Sequence, residues 1–257
     1  AAMLTIAINN QKGGVAKTTT CLSLGACLAE MGYTVLLIDL DPQAHLTLSL
    51  GLQPEALHRT ISDALLANNS LLSVSRESHI FDLDIVPANQ DLALVDKMLY
   101  GRSGYEYHLK HRLASLRDGF YEIVLIDCPP SFNTLTLNAL TAADRLIIPV
   151  QCEYYAARSL KRIIQLVKLV QTKTNPSLTY QMLVTMYDRR NKICQIIYDQ
   201  LQQTLNPKLY KTIIEVDTKL RESPAFGQPI TRYAPETRGA QQYRALAQEL
   251  MCNNGRG

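Results

Sequence analysis

The chain has 257 residues, of which 47% are hydrophobic and 19% charged, and its formal net charge is +3. That length and apolar content can bury the core of one large α/β domain and exclude a disordered chain. No run of about 18 apolar residues occurs, which excludes a membrane-spanning helix, and no secretion signal is expected because a strand-like run begins almost at once.

The charge is unevenly placed. Residues 1–150 carry 10 Lys/Arg against 15 Asp/Glu, whereas residues 151–257 carry 16 against 8. The basic C-terminal half is where a polyanion-binding surface is to be sought, with ordinary solvated helix faces as the plainer alternative. The six cysteines, Cys21, Cys27, Cys128, Cys152, Cys194 and Cys252, form no C-x-x-C pair and have no histidine at zinc spacing. They are expected to be reduced, packed thiols, and none of the five histidines is offered as a ligand.

The first apolar run, Leu4–Ile8, predicts a strand and leads into Asn10-Gln11-Lys12-Gly13-Gly14-Val15-Ala16-Lys17-Thr18-Thr19, after which Thr18–Met31 predicts a helix. A strand-to-helix turn of this kind is an anion nest, because backbone N–H groups and the helix N-terminus converge there. Gly13 and Gly14 allow close backbone approach, Lys17 is placed for β- and γ-phosphates, and Thr18 offers a hydroxyl to Mg²⁺. The common pattern G-x-x-x-x-G-K-[ST] is not met, since Gln11 and Ala16 stand where its glycines would be. The variant K-G-G-x-x-K-T-T is met instead, with Lys12 as a second lysine. It resembles the deviant Walker A box of the ParA/MinD ATPases, which implies an ATP site formed by Lys12, Gly13, Gly14, Val15, Ala16, Lys17, Thr18 and Thr19. The same resemblance implies that Lys12 reaches across a two-fold interface to the other subunit's ATP, so that ATP drives homodimerisation.

The next strand, Thr34–Leu40, runs into Asp39-Leu40-Asp41-Pro42-Gln43 and puts two carboxylates on one side of the strand. Acids at this position can serve a metal or an attacking water. The match to the family's D-x-D-P-Q implies that Asp41 positions the water and that Asp39 supports the metal. Pro54 to Glu77 is the least regular stretch and is expected to be an inserted helical region. Helices are predicted at Ala88–Leu99 and Tyr105–Leu116.

Strand Ile123–Asp127 ends in Asp127-Cys128-Pro129-Pro130 and resembles a Walker B strand entering a switch loop, with Asp127 as the Mg²⁺ partner. Capping of the next helix is a poor alternative for Asp127, because two prolines intervene and the helix is expected at Asn133–Ala142. Strand Arg145–Val150, helix Tyr154–Gln171 and strand Thr179–Met186 follow. The alternation of strands and helices implies a mostly parallel twisted sheet flanked by helices on both faces, with ligands at the carboxyl ends of the strands.

Further collinear matches are Gln151-Cys152-Glu153-Tyr154-Tyr155-Ala156, Met186-Tyr187-Asp188-Arg189-Arg190, and Glu222-Ser223-Pro224-Ala225-Phe226-Gly227-Gln228-Pro229-Ile230. The second implies that Met186 and Tyr187 lie near the adenine. Helix Tyr154–Gln171 places Arg158, Lys161 and Arg162 on one face. With Arg189, Lys219 and Arg221 they are the candidate contacts for nonspecific duplex DNA, a function the resemblance implies and phosphate contacts alone can supply. One departure stands out: Glu215-Val216-Asp217 replaces the family's Pro-Arg-Asn, which bears on both the DNA surface and the adenine pocket.

The whole of 1–257 is therefore expected to be one P-loop ATPase domain, with Ala1-Ala2 a cloning remnant and 251–257 a flexible tail. The tail lacks the apolar face of membrane-binding relatives, no cluster-ligating cysteine pattern is present, and no helix-turn-helix precedes the first strand. A cytoplasmic, nucleoid-associated, Mg²⁺-dependent ATPase is implied, acting with a ParB-like adaptor to position a cargo. The alternative on the same fold is a small-molecule ligase of the dethiobiotin-synthetase type.

Overall fold

The computed structural model describes residues 2–116 and 119–252. Seven strands form one sheet: β1 (Leu4–Ile8), β2 (Val35–Asp39), β3 (Arg76–Glu77), β4 (Leu83–Val86), β5 (Ile123–Asp127), β6 (Arg145–Val150) and β7 (Thr179–Val184). Their order is β3-β4-β2-β5-β1-β6-β7, and every pairing is parallel except β3 with β4. The helices are α1 (Lys17–Glu30), α2 (His45–Ser49), α3 (Ile61–Leu66), α4 (Leu71–Val74), α5 (Leu92–Leu99) and α6 (His108–Ala114), then α7 (Thr134–Ala142), α8 (Ala156–Lys173), α9 (Lys192–Leu205), α10 (Thr218–Glu222), α11 (Ile230–Tyr233) and α12 (Arg238–Cys252).

The central strands β2 and β5 are buried along their full length, as parallel strands covered on both faces must be. Alternation along β1 sends Ala7 to one core and Ile6 and Ile8 to the other. The first core is covered by residues of α3, α5, α6, α7 and α8, among them Leu65, Leu92, Leu109, Leu135 and Leu166. The second is covered by α1 and α12 through Leu24, Leu28, Tyr243 and Leu246. Each such side chain contributes about 1.5–3 kcal/mol when fully buried. Thr20 Oγ1 and Tyr243 Oη, 2.9 Å apart, tie α12 onto α1. At Gly25 a β-carbon would lie 2.7 Å from Leu37 Cδ2, so glycine lets α1 rest close on the sheet and a larger residue would have to displace the Leu37 side chain.

Three sequence expectations need correction. Pro54 to Glu77 is helical through α3 and α4 as expected but is integrated into the domain: Ile61, Ala64, Leu65, Leu71 and Val74 belong to the main core, and Arg76–Glu77 is the edge strand. The tail is not irregular from residue 251, because Met251 and Cys252 complete α12; residues 253–257 lie outside the described residues. Asp39 and Asp41 do not share one side of a strand, because β2 ends at Asp39 and the Asp41 N–H turns back onto Asp39 Oδ1 at 3.0 Å.

Candidate nucleotide-binding site

The site lies at the carboxyl ends of β1, β2, β5 and β7, around a cleft of about 560 Å³. Gly13, Gly14, Ala16, Lys17, Thr18 and Thr19 line one end of it, and Met186, Ile214, Glu215, Val216, Asp217 and Arg221 the other. The loop turns through Gly14 at φ 74° and Ala16 at φ 65°. For alanine this left-handed conformation costs about 1–2 kcal/mol, so the loop carries strain where the common motif has glycine. α1 has no capping side chain, and its first N–H groups face the loop. A β-carbon added at Gly13 or Gly14 would meet no atom within 4 Å. The open space and the free donors together fit a phosphate chain.

Lys17 is buried and its Nζ donates to Lys12 O at 3.0 Å across the loop. Burial lowers its pKa, against the opposing pull of Asp127, Cys128 and Asp41. Register places Asp127 beside Ile8 on one side and Asp39 on the other. Thr18 Oγ1 donates to Asp127 Oδ2 at 2.7 Å, whereas Asp127 Oδ1 is buried with no partner. Burial, then the neighbouring Asp39 charge, raises the Asp127 pKa well above the carboxylate range. An orphaned carboxylate oxygen beside a threonine hydroxyl fits Mg²⁺, which takes one or two protein ligands and completes its shell with water and phosphate. No group of three or more His, Cys, Asp or Glu placed to hold a metal occurs among the described residues, so an all-protein cage is not on offer.

Asp39 is differently used. Its Oδ2 accepts from Thr47 Oγ1 at 2.7 Å and Thr47 N at 3.0 Å, so it anchors α2. Burial raises its pKa to about 6, with the Thr47 bonds pulling the other way. Asp41 lines the cleft, and its Oδ1 accepts from Gln43 N at 2.9 Å. Asp127 does not cap the following helix; Asn133 does, through Thr136 N. Burial pushes the Cys128 thiol up, which leaves it unreactive.

Lys12 stands apart from Lys17. It does not line the cleft; its ammonium is paired with Glu153 and lies 3.3 Å from Gln151 Oε1, and its side chain is 41% exposed. Gln151 also donates to Gly14 O at 3.2 Å. Met186 is in the cleft wall with a left-handed φ of 52°. Tyr187 sits one residue behind it, its N–H donating to Ile214 O at 3.1 Å and its ring stacked edge-on against Tyr198.

The two acids of the departing segment are both structural. Glu215, 4% exposed, pairs with Arg189 at 2.6 Å and Arg238 at 2.8 Å and accepts from Gln242 Nε2 at 2.9 Å. Asp217 caps α10 through Lys219 N and accepts from Gly239 N at 2.8 Å. Of the basic residues singled out in the sequence, Arg158, Lys161 and Arg162 share the exposed face of α8. Arg189 is committed to Glu215, Lys219 pairs with Glu222 at 2.7 Å, and Arg221 lines the cleft rather than joining the α8 face. Thr47, Glu153 and Arg238 had no role assigned from the sequence. Glu153 was within reach, since it follows directly on a strand's carboxyl end, where ligand-binding residues gather.

Sheet, loop and orphaned carboxylate define a P-loop nucleotide-binding protein. A family model described as an AAA domain matches residues 3–180. The sporulation initiation inhibitor protein Soj of Bacillus subtilis is 40% identical over 249 residues, which is 96% of this chain and 98% of Soj. The chromosome partitioning protein ParA of Caulobacter vibrioides is 38% identical over 248 residues, 96% and 93% of the two chains. Among solved structures, one named cobyrinic acid a,c-diamide synthase, from Mycobacterium smegmatis with bound ATP analog and magnesium, is 37% identical, superposes with a TM-score of 0.87, and covers 99% of this chain and 97% of its own. The chain belongs to the Soj/ParA partition ATPases of the ParA/MinD family. Among the described residues no helix is long and apolar enough to cross a membrane.

Proposed function

We propose that the chain is a single-domain, slow Mg²⁺-dependent ATPase that closes into a sandwich dimer on ATP. In that state it binds DNA without sequence preference and is released when a ParB-like adaptor stimulates hydrolysis, in a cytoplasmic, nucleoid-associated cycle. The observation that carries this reading is the separation of the two lysines. Lys17 lines its own cleft, while Lys12 stands outside it on an exposed ion pair with Glu153, free to exchange that carboxylate for phosphates on a second copy. Two triphosphates face to face repel, and a lysine from each subunit offsets this.

Within one subunit the loop N–H groups and Lys17 would hold the β- and γ-phosphates, and Thr18 with Asp127 would hold Mg²⁺. Bound Mg²⁺ would neutralise charge building on the phosphate oxygens. Asp41, in the cleft wall at the end of β2, would orient water against the γ-phosphate. Support for the DNA surface is the exposed trio Arg158, Lys161 and Arg162; Arg189, Lys219 and Arg221, being engaged elsewhere, contribute less. The solved relative named as a synthase favours a second reading, an ATP-dependent enzyme acting on a small acceptor.

One experiment separates the two readings. Binding to nonspecific duplex DNA is measured without nucleotide, with ADP, and with ATP plus Mg²⁺, at two salt concentrations. Binding with ATP alone, steeply weakened by salt, supports the DNA-tethered dimer. No DNA binding in any state, together with turnover that requires a small organic substrate such as cobyrinic acid, overturns it. Asp41→Ala is expected to hold the ATP dimer on DNA; normal hydrolysis by this variant would remove Asp41 from the water-positioning role.

A further inference from the structure

We propose that the cavity at the amino ends of β6 and β7 is a binding site for a small organic anion, whose phosphate or carboxylate group is held by Arg145. The cavity measures about 830 Å³, within the size range of small-molecule pockets and larger than the nucleotide cleft. It lies at the opposite end of the strands from the phosphate loop. Arg145 begins β6, Tyr180 is the second residue of β7, Gln202 comes from α9, and Leu209, Tyr210 and Lys211 close the far wall.

Arg145 is the reason to expect an anion. Its side chain is half-buried, yet among the described residues no hydrogen bond or ion pair engages its guanidinium. A guanidinium has five N–H donors, and leaving them without partners in a partly desolvated wall is unfavourable. The planar fork matches carboxylate or phosphate in two-point contact. The acid in the lining, Glu249, does not meet this need. Its Oε1 accepts from Lys211 N at 2.8 Å, and its Oε2 accepts from Thr212 N at 2.9 Å and Thr212 Oγ1 at 2.7 Å. Two further cations lie close by: Lys211 in the wall, and Lys208, whose ammonium is 3.8 Å from the centre of the Tyr180 ring. Leu209 and the buried Tyr210 supply apolar surface for the body of the ligand. The site therefore combines a free guanidinium, an excess of positive charge and an apolar floor.

The test uses the full chain with inorganic phosphate and citrate as probes, titrated calorimetrically. The phosphate loop is itself an anion site, so titrations are run on protein saturated with Mg²⁺-ADP and on Lys17→Ala. Saturable binding of either probe in both is expected, weakened about tenfold or more in Arg145→Gln, the loss typical of a charge-assisted pair. Preference for phosphate or citrate tells which anionic group the site takes. Unchanged affinity in Arg145→Gln, binding that vanishes in Lys17→Ala, or no saturable binding of either probe overturns the proposal. Should Arg145→Gln fail to fold, Gln202→Trp decides: this exposed α9 position can be enlarged to fill the cavity, and retained affinity there also overturns it.

Discussion

At the phosphate end of the nucleotide cleft the polar groups are left open, and at the other end they are closed. Asp127 Oδ1 is buried without a partner, Lys17 has only a loop carbonyl, and Gly13 and Gly14 border empty space. The far wall, just before α10, by contrast satisfies both oxygens of Glu215 with two arginines and a glutamine, and both oxygens of Asp217 with backbone N–H groups. Open groups cost the unliganded protein stability and are justified only by a ligand that completes them; closed groups hold the wall in place. Substitutions at the two ends should therefore fail in different ways.

The largest effect is expected from Lys17→Ala. Nucleotide affinity should drop roughly 100-fold, the equivalent of about 3 kcal/mol of charge-assisted bonding. The thermal midpoint without nucleotide should hold or rise, because burial already disfavours this charge. Calorimetric titration and a melting curve check both halves, and a destabilised protein with intact affinity would reverse the assignment of ends. Glu215→Ala should do the opposite, lowering stability by about 1–3 kcal/mol as three bonds to a buried carboxylate are lost. Denaturant unfolding measures this; unaltered stability would show that the ion pairs are incidental. Thr47→Val sharpens the contrast, since Asp39 near the phosphate loop has both carboxylate oxygens engaged, Oδ1 by Asp41 N and Oδ2 by Thr47. It should cost about 1–2 kcal/mol by the same unfolding measurement. The smallest change in stability is expected from Glu153→Gln, at most about 1 kcal/mol for a surface pair. If Lys12 must leave Glu153 to reach a second copy, this variant should nevertheless raise the ATP-dependent dimer fraction seen by light scattering, and a lowered fraction would mean the pair assists closure.

Most of the fold and the phosphate end were legible in the chain because their signals are local. β-Branched runs marked β1, β2, β5, β6 and β7 to within two residues, and the lysines, Thr18, Asp41 and Asp127 all sit in or directly after those runs. Strand β4 was missed because acids at Asp82 and Asp84 interrupt its apolar run, and α12 because glutamines and an alanine-rich face dilute its period. The role of Glu215 could not be read at all. Its partners Arg189 and Arg238 stand on either side of it in sequence, and only the fold brings these two exposed arginines onto one buried carboxylate.

The close seat of α1 at Gly25 ties the phosphate loop to the sheet. A β-carbon there would lie 2.7 Å from Leu37 Cδ2, so any larger residue would have to push the Leu37 side chain aside. Because α1 begins with Lys17 and Thr18, packing chosen at mid-helix sets the height at which the phosphate-binding groups stand above the strand ends.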